Sequence, residues 1–237
     1  TIAATMYAKS IGQKIDGNAA EIFGSDLAAH IIAGGGEISC HETTTKAEAL
    51  EKLRYGVYVL MREGSTQRNM QECIKSFTEE KLDPGRLILA TDDMLAEEIE
   101  ATGHMDEIIR RVIREGVEPL DAIRMATINA AAWHNLHDIG CLAPSKLAGI
   151  VILSDLENIT VESVYIEGRK VAEGGKLLIP LPPYTYPATV KNTVKRGKIS
   201  EDMLKVEAAG KKAEVRVVEL IEFQNLTGKK TAELKVS

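Results

Sequence analysis

The sequence is poor in cysteine and has no long hydrophobic run, and each lack excludes something. Its three cysteines, Cys40, Cys73 and Cys141, are odd in number, far apart and form no Cys-x-x-Cys pair. That argues against a disulfide framework and against a structural zinc knuckle, and it points to a reducing compartment. No apolar stretch approaches the roughly 20 residues needed to span a bilayer. The opening Thr1-Ile2-Ala3-Ala4-Thr5-Met6 lacks the charged start and long apolar centre of a secretory signal. A cytoplasmic location and no membrane partner are therefore expected. A basic face is missing too: 29 Lys and Arg against 35 Asp and Glu leave a net charge of -6, scattered along the chain. Nucleic acid is a poor candidate partner on that charge, and a small molecule a better one. There is no initiator methionine, and residues 1–13 read as the middle or end of a helix with no capping residue ahead of it, so the chain is expected to be a fragment.

What is present fits one large α/β domain, or a medium one with a small appendage, in 237 residues. To about residue 128, short apolar runs alternate with helix-period segments, the pattern of βα units in a parallel sheet. Strands are expected at 15–18, 37–41, 57–61 and 87–91, with helices near 25–33, 45–57, 69–77, 106–115 and 119–127. Thr45-Lys46-Ala47-Glu48 matches a capping box, and Asp83-Pro84-Gly85 a turn. After about residue 136 the pattern becomes β-like, with strands at 147–153 and 161–166, a tight Glu167-Gly168-Arg169 turn into 170–172, and more half-buried strands around Val215, Val217 and 232–236. The proline-rich segment at 179–187 reads as an extended connector. The expected division is 1–136 for the barrel-like part and 137–237 for a small β domain.

The residues able to carry chemistry fall at the C-terminal ends of the expected strands, where a parallel barrel gathers its site. They are Asn18, His41, the Arg62-Glu63-Gly64-Ser65 segment, and Asp92 with Asp93. Imidazole and carboxylate both suit Zn²⁺, Mn²⁺ or Fe²⁺, and a metal-bound water ionises near neutral pH. A strand-end Asp can take the proton of such a water and pass it to a leaving group. Plainer readings stand beside this one. A lone strand-end His is more often a hydrogen-bonded structural residue, Asp93 fits an N-cap, and Arg62 with Glu63 fits an ordinary ion pair. His30, His104, His134 and His137 read as structural or solvent-facing.

Several motifs in order resemble the adenine deaminases of the amidohydrolase superfamily. They are Asp16-Gly17-Asn18-Ala19, Ser39-Cys40-His41-Glu42-Thr43-Thr44, Leu60-Met61-Arg62-Glu63-Gly64-Ser65, Ala90-Thr91-Asp92-Asp93 and Gly103-His104-Met105-Asp106. Arg124-Met125-Ala126-Thr127-Ile128-Asn129-Ala130-Ala131 and the Val164 to Arg169 hairpin continue the likeness. It implies a (β/α)8 TIM barrel, of which this chain holds about strands 5 to 8, followed by a small β-sandwich domain. It implies a divalent metal, Mn²⁺ or Fe²⁺ with Zn²⁺ also suitable, and hydrolysis of adenine to hypoxanthine and ammonia. By this likeness His41 is a metal ligand, Asp92 a ligand and proton shuttle, and Asp93 its neighbour in the same motif, with the role not divided cleanly between them. Glu42, Arg62, Glu63 and Ser65 would line the substrate pocket.

Three departures stand out. Asn18 occupies the place of a ligand histidine, and its amide oxygen is the weaker donor. A His-x-His pair and a bridging acid of the family would fall ahead of Thr1, so the chain alone is expected to be inactive. Gly149, ending Pro144-Ser145-Lys146-Leu147-Ala148-Gly149, replaces an Asp at the junction with the sandwich. Two other functions stay open: a degenerate, non-catalytic relative that binds or scaffolds, and an amidohydrolase acting on another cyclic amine or amide. Pairing of subunits into a homo-oligomer would cover exposed sheet edges.

Overall fold

The computed structural model describes residues 2–236, and its contacts divide the chain into two units. One runs through Leu178 and takes in Ile221–Asn225; the other holds Ile179–Leu220 and the residues from Leu226 onward.

The first unit begins with α1 (Ile2–Ser10) and then sets four short parallel strands side by side in chain order: β1 (Ile15–Gly17), β2 (Ile38–Cys40), β3 (Tyr58–Arg62) and β4 (Leu87–Ala90). Parallel neighbours need crossover connections. Helices α2 (Gly24–Ala33), α3 (Lys46–Arg54) and α4 (Met70–Thr78) supply them. Four more helices follow: α5 (Ala96–Thr102), α6 (Met105–Arg114), α7 (Pro119–Ala126) and α8 (Ile128–Trp133). The expected capping box forms, with the Thr45 hydroxyl accepting from the Glu48 amide and the Glu48 carboxylate from the Thr45 amide, each at 3.3 Å.

Strand alternation decides what reaches the site. Side chains on a strand point to opposite faces in turn. Ile38 and Cys40 pack with Leu27, Ile31 and Val57, while Val59, Met61, Leu87 and Leu89 pack with Ile108, Val112 and Met125 from α6 and α7. The intervening residues, Asp16, Ser39, Leu60, Arg62 and Ile88, take the opposite face. Register aligns them, with Asp16 opposite Ser39, Leu60 opposite Ile88 and Arg62 opposite Ala90. Burying the apolar set against helices thus leaves the polar residues together at one end of the other face.

A second, antiparallel sheet follows: β5 (Ile150–Leu153), β6 (Val161–Ile166), β7 (Arg169–Glu173) and β8 (Lys176–Leu177), paired in that order. Packing crosses the expected 136/137 boundary. Ile159, in the β5–β6 loop, is only 3% exposed and packs in the core of β3, β4 and α6, and Leu153 packs against the same core. The antiparallel sheet therefore belongs with the βα part. It forms one four-stranded sheet.

In the second unit, residues 179–211 carry two short 3-10 turns, Ala188–Val190 and Glu201–Leu204. A long hairpin closes it, β9 (Lys212–Leu220) pairing antiparallel with β10 (Thr227–Lys235). Among the described residues no helix is long and apolar enough to cross a membrane.

Candidate active site

At the C-terminal ends of β1 to β4 lies a continuous polar chain. Asp16, on β1, receives the Ser39 hydroxyl on one oxygen and faces the Nδ1 of His41 with the other, both at 2.6 Å. With Nδ1 engaged, the imidazole presents Nε2 outward, 3.6 Å from Glu42 Oε1. Such a carboxylate–histidine pairing fixes tautomer and ring angle. Glu42 then grips the Arg62 guanidinium with both oxygens, each at 3.1 Å. That two-point geometry suits a planar fork of donors. The same guanidinium reaches Asp92 Oδ2 at 3.3 Å and Asn69 Oδ1 at 3.2 Å. Arg62 is 2% exposed, so its charge is held by these groups rather than by water.

The two aspartates after β4 make different contacts. Asp92 sits at φ +51°, a left-handed backbone uncommon outside glycine but best tolerated by Asn and Asp, and it faces Arg62. Asp93 turns to the loop after β3, where its Oδ2 accepts from the Thr66 amide at 3.2 Å and from the Thr66 hydroxyl. Gly64 allows this approach, since a β-carbon there would collide with Asp93 Oδ1 and stand 3.0 Å from the Thr91 carbonyl. That Oδ1 is buried without a partner.

The other expected pocket residues are engaged elsewhere. Glu63 follows Arg62 on the strand and so points the other way, pairing with Arg111 of α6 at 2.8 Å. Burial pushes its carboxyl above the usual range, and Arg111 offsets this only in part. The Ser65 hydroxyl accepts the Leu95 amide at 2.8 Å, just ahead of α5. Asn18 is exposed one residue beyond β1.

The loop carrying His41 and Glu42 is nailed down from below. Lys52 and Glu48, both fully buried on α3, lie 3.7 Å apart. Glu48 receives the Thr44 amide and hydroxyl at 2.8 and 2.6 Å, and the Glu21 amide after β1. Lys52 donates to the Thr43 hydroxyl at 3.1 Å. Burial works to raise the Glu48 carboxyl, but hydrogen bonds from Thr44 and the Lys52 charge outweigh it and hold it below the ordinary value.

His41 and Asp92 have the donor chemistry of first-row metal ligands. Among the described residues, however, no group of three or more His, Cys, Asp or Glu side chains could hold an ion, and Asn18 adds only a neutral amide oxygen. These residues do not by themselves make a metal centre. The positive charge that the structure does place there is Arg62.

Asp16, Asn69 and the 221–225 connector are the parts that sequence reasoning did not assign. Asp16 stands in the Asp16-Gly17-Asn18-Ala19 motif, and its spacing to Ser39 and His41 across a parallel strand pair is the signal that could have found it. Asn225 Nδ2 donates to Glu42 Oε2 across 183 residues of sequence, with no local signal to reveal it.

The amidohydrolase family model matches residues 25–171, which covers β2 to β4, β5, β6 and the start of β7. Adenine deaminase 1 of Carboxydothermus hydrogenoformans is 56% identical over 95% of this chain and 38% of its own length. The adenine deaminase of Moorella thermoacetica is 40% identical over 78% of this chain and 32% of its own. The chain thus spans roughly a third of these relatives. Among solved structures, enamidase, a member of the amidohydrolase superfamily, superposes with a TM-score of 0.53 over 73% of this chain and 51% of that one, at 16% identity, which shows a shared α/β fold of the TIM-barrel type. With a family match over more than half its length and relatives of this kind, the chain belongs to the amidohydrolase family, on its adenine deaminase branch.

Proposed function

We propose that this chain is the part of an adenine deaminase that carries the later strands of a (β/α)8 barrel, and that the whole protein hydrolyses adenine to hypoxanthine and ammonia. The observation that carries this is the polar chain Asp16–His41–Glu42–Arg62–Asp92, built at the strand ends on one face of a parallel sheet. A likeness to one named adenine deaminase over 95% of the chain stands beside it. His41, through Nε2, and Asp92 are this chain's share of a divalent-metal centre for Mn²⁺ or Fe²⁺, with Zn²⁺ chemically suitable; Asn18 is at best a weak third donor. Such a metal, when bound, supplies an ionised water near neutral pH.

The residues present have their own tasks. Asp92 moves a proton toward the departing amine, and Arg62 holds that carboxylate and Glu42 in place. Glu42 and Arg62 face the substrate. Glu63 and Ser65 support the pocket through Arg111 and Leu95.

The test is ammonia release by the full-length protein from adenine, other aminopurines, pterins and hydantoins, with metal content measured in parallel. Release from adenine above the others, and loss of bound metal in His41→Ala, are expected. Less than a tenth of an equivalent of metal after supply of Mn²⁺ or Fe²⁺, with no ammonia from adenine, would instead favour a non-catalytic binding protein. Release from another ring alone would reassign the substrate.

A further inference from the structure

Asn69 stands at the start of α4 but does not act as its cap. An asparagine in that place usually turns its side-chain oxygen back onto the first amides of the helix. Here the side chain makes no such bond, and the residue is fully buried. Its backbone amide donates to the Arg62 carbonyl at 2.9 Å, which pins it to the end of β3. Its Oδ1 accepts from Arg62 Nη2 at 3.2 Å, and its Nδ2 donates to Gln224 Oε1 at 2.9 Å. A guanidinium only donates, so it must meet the amide oxygen, and the orientation of the amide follows from that. A side chain that could have capped the helix is spent on Arg62 instead.

The terminal N–H groups of Arg62 are thereby shared out among three residues. Glu42 takes one from each terminal nitrogen, both at 3.1 Å. Asp92 Oδ2 receives a second from Nη1 at 3.3 Å, and Asn69 Oδ1 a second from Nη2. The fork of donors is planar and rigid, so a hold on Nη2 fixes where Nη1 points. Charge matters as much as shape. Two carboxylates already share this one cation, and a third in the place of Asn69 would draw the guanidinium away from Asp92. A neutral amide oxygen satisfies the last terminal N–H without competing for the charge.

We propose that Asn69 is a positioning residue for the deamination, its neutral hold on Arg62 Nη2 keeping Nη1 on Asp92 and so keeping that carboxylate where it moves the proton. The proposal rests on the deaminase reading above and deepens it. Asn69 touches no reacting atom and acts through Arg62.

The experiment measures kcat and KM for adenine on the full-length enzyme in wild type, Asn69→Leu and Asn69→Asp, with thermal midpoints alongside. The Leu variant removes both side-chain hydrogen bonds. The Asp variant keeps the shape and adds a charge that competes with Asp92 for Arg62. Neither uncaps α4, because the Asn69 side chain does not cap it. Both should lose about tenfold or more in kcat while KM stays within about threefold, the mark of a group that serves the transition state rather than substrate binding. If Asn69→Leu fails to fold, Asn69→Asp decides. A crystal structure of Asn69→Asp should show Arg62 turned onto the new carboxylate and out of hydrogen-bond reach of Asp92. Near-wild-type kcat in Asn69→Asp, a loss carried by KM, or an Arg62–Asp92 contact retained in that structure would overturn this proposal alone, provided wild type turns over adenine. A wild type that does not would overturn the deaminase reading and this proposal with it.

Discussion

His41 Nδ1 lies 2.6 Å from Asp16 Oδ2, and this contact sets which imidazole nitrogen the site can use. Asp16 also holds Ser39, so the pair is braced rather than free to swing. Replacing Asp16 by Asn in the full-length protein should keep the fold but lower turnover about 10- to 100-fold, as loss of an orienting carboxylate does. Steady-state kinetics check it, and full activity in Asp16→Asn would show that His41 needs no such partner.

Arg62 is the central cation of the site, shared by Glu42, Asp92 and Asn69. Arg62→Met would leave two carboxylates close together with no counter-charge. Removing one partner of a buried ionic group costs about 3 kcal/mol. The denaturant midpoint should fall by that equivalent, and deaminase activity should vanish. Arg62→Lys should not restore it, because one ammonium cannot match a two-point grip on Glu42.

Beneath the site, Lys52 and Glu48 are buried to 0% and 1% exposure. Lys52→Met should destabilise by about 3 kcal/mol, since Glu48 would keep its charge in the interior without its cation. Equilibrium urea unfolding measures this. A change under 1 kcal/mol would mean that the Thr44 and Glu21 hydrogen bonds suffice for Glu48.

On α6, burial would raise the Glu107 carboxyl, but hydrogen bonds from Arg110, Arg114 and Arg111 outweigh it and hold it down at about 2. A depressed acid stabilises the fold above its unfolded value, and that contribution is lost as pH falls toward the folded value. Glu107→Gln should therefore cost about 1 kcal/mol at pH 7. The gap between variant and wild type should close between pH 4.5 and about 2. Thermal midpoints across that range give the answer, and a gap that widens on acidification would refute it.

Much of the fold was legible in the sequence because it rests on local periodicity. The four parallel strands, their crossover helices, the Thr45–Glu48 cap and the β6 hairpin all fall where apolar spacing and turn residues place them. Two helices escaped notice. Helix α5, Ala-Glu-Glu-Ile-Glu-Ala-Thr, buries no residue and so has no apolar stripe, and α8 is six residues with three consecutive alanines. The packing of Ile159 and Leu153 against the βα core leaves no trace in the sequence, because a loop isoleucine and one strand-end leucine make no periodic pattern. In the site, His41, Arg62 and Asp92 were legible as polar residues that end apolar strands. The separate contacts of Asp92 and Asp93 were not, since they depend on a φ of +51° and on Thr66. Asn225 was out of reach altogether, at 183 residues from its partner.

The central claim is that Asp92, facing Arg62, moves the proton while Asp93 braces the loop after β3. Hypoxanthine formation from adenine by the full-length protein tests it directly in Asp92→Asn and Asp93→Asn. Asp92→Asn should lose at least about 100-fold in kcat, the usual weight of a general acid–base group, while Asp93→Asn loses less than about tenfold and shows its effect in thermal stability. Turnover retained in Asp92→Asn, with loss confined to Asp93→Asn, would contradict the account.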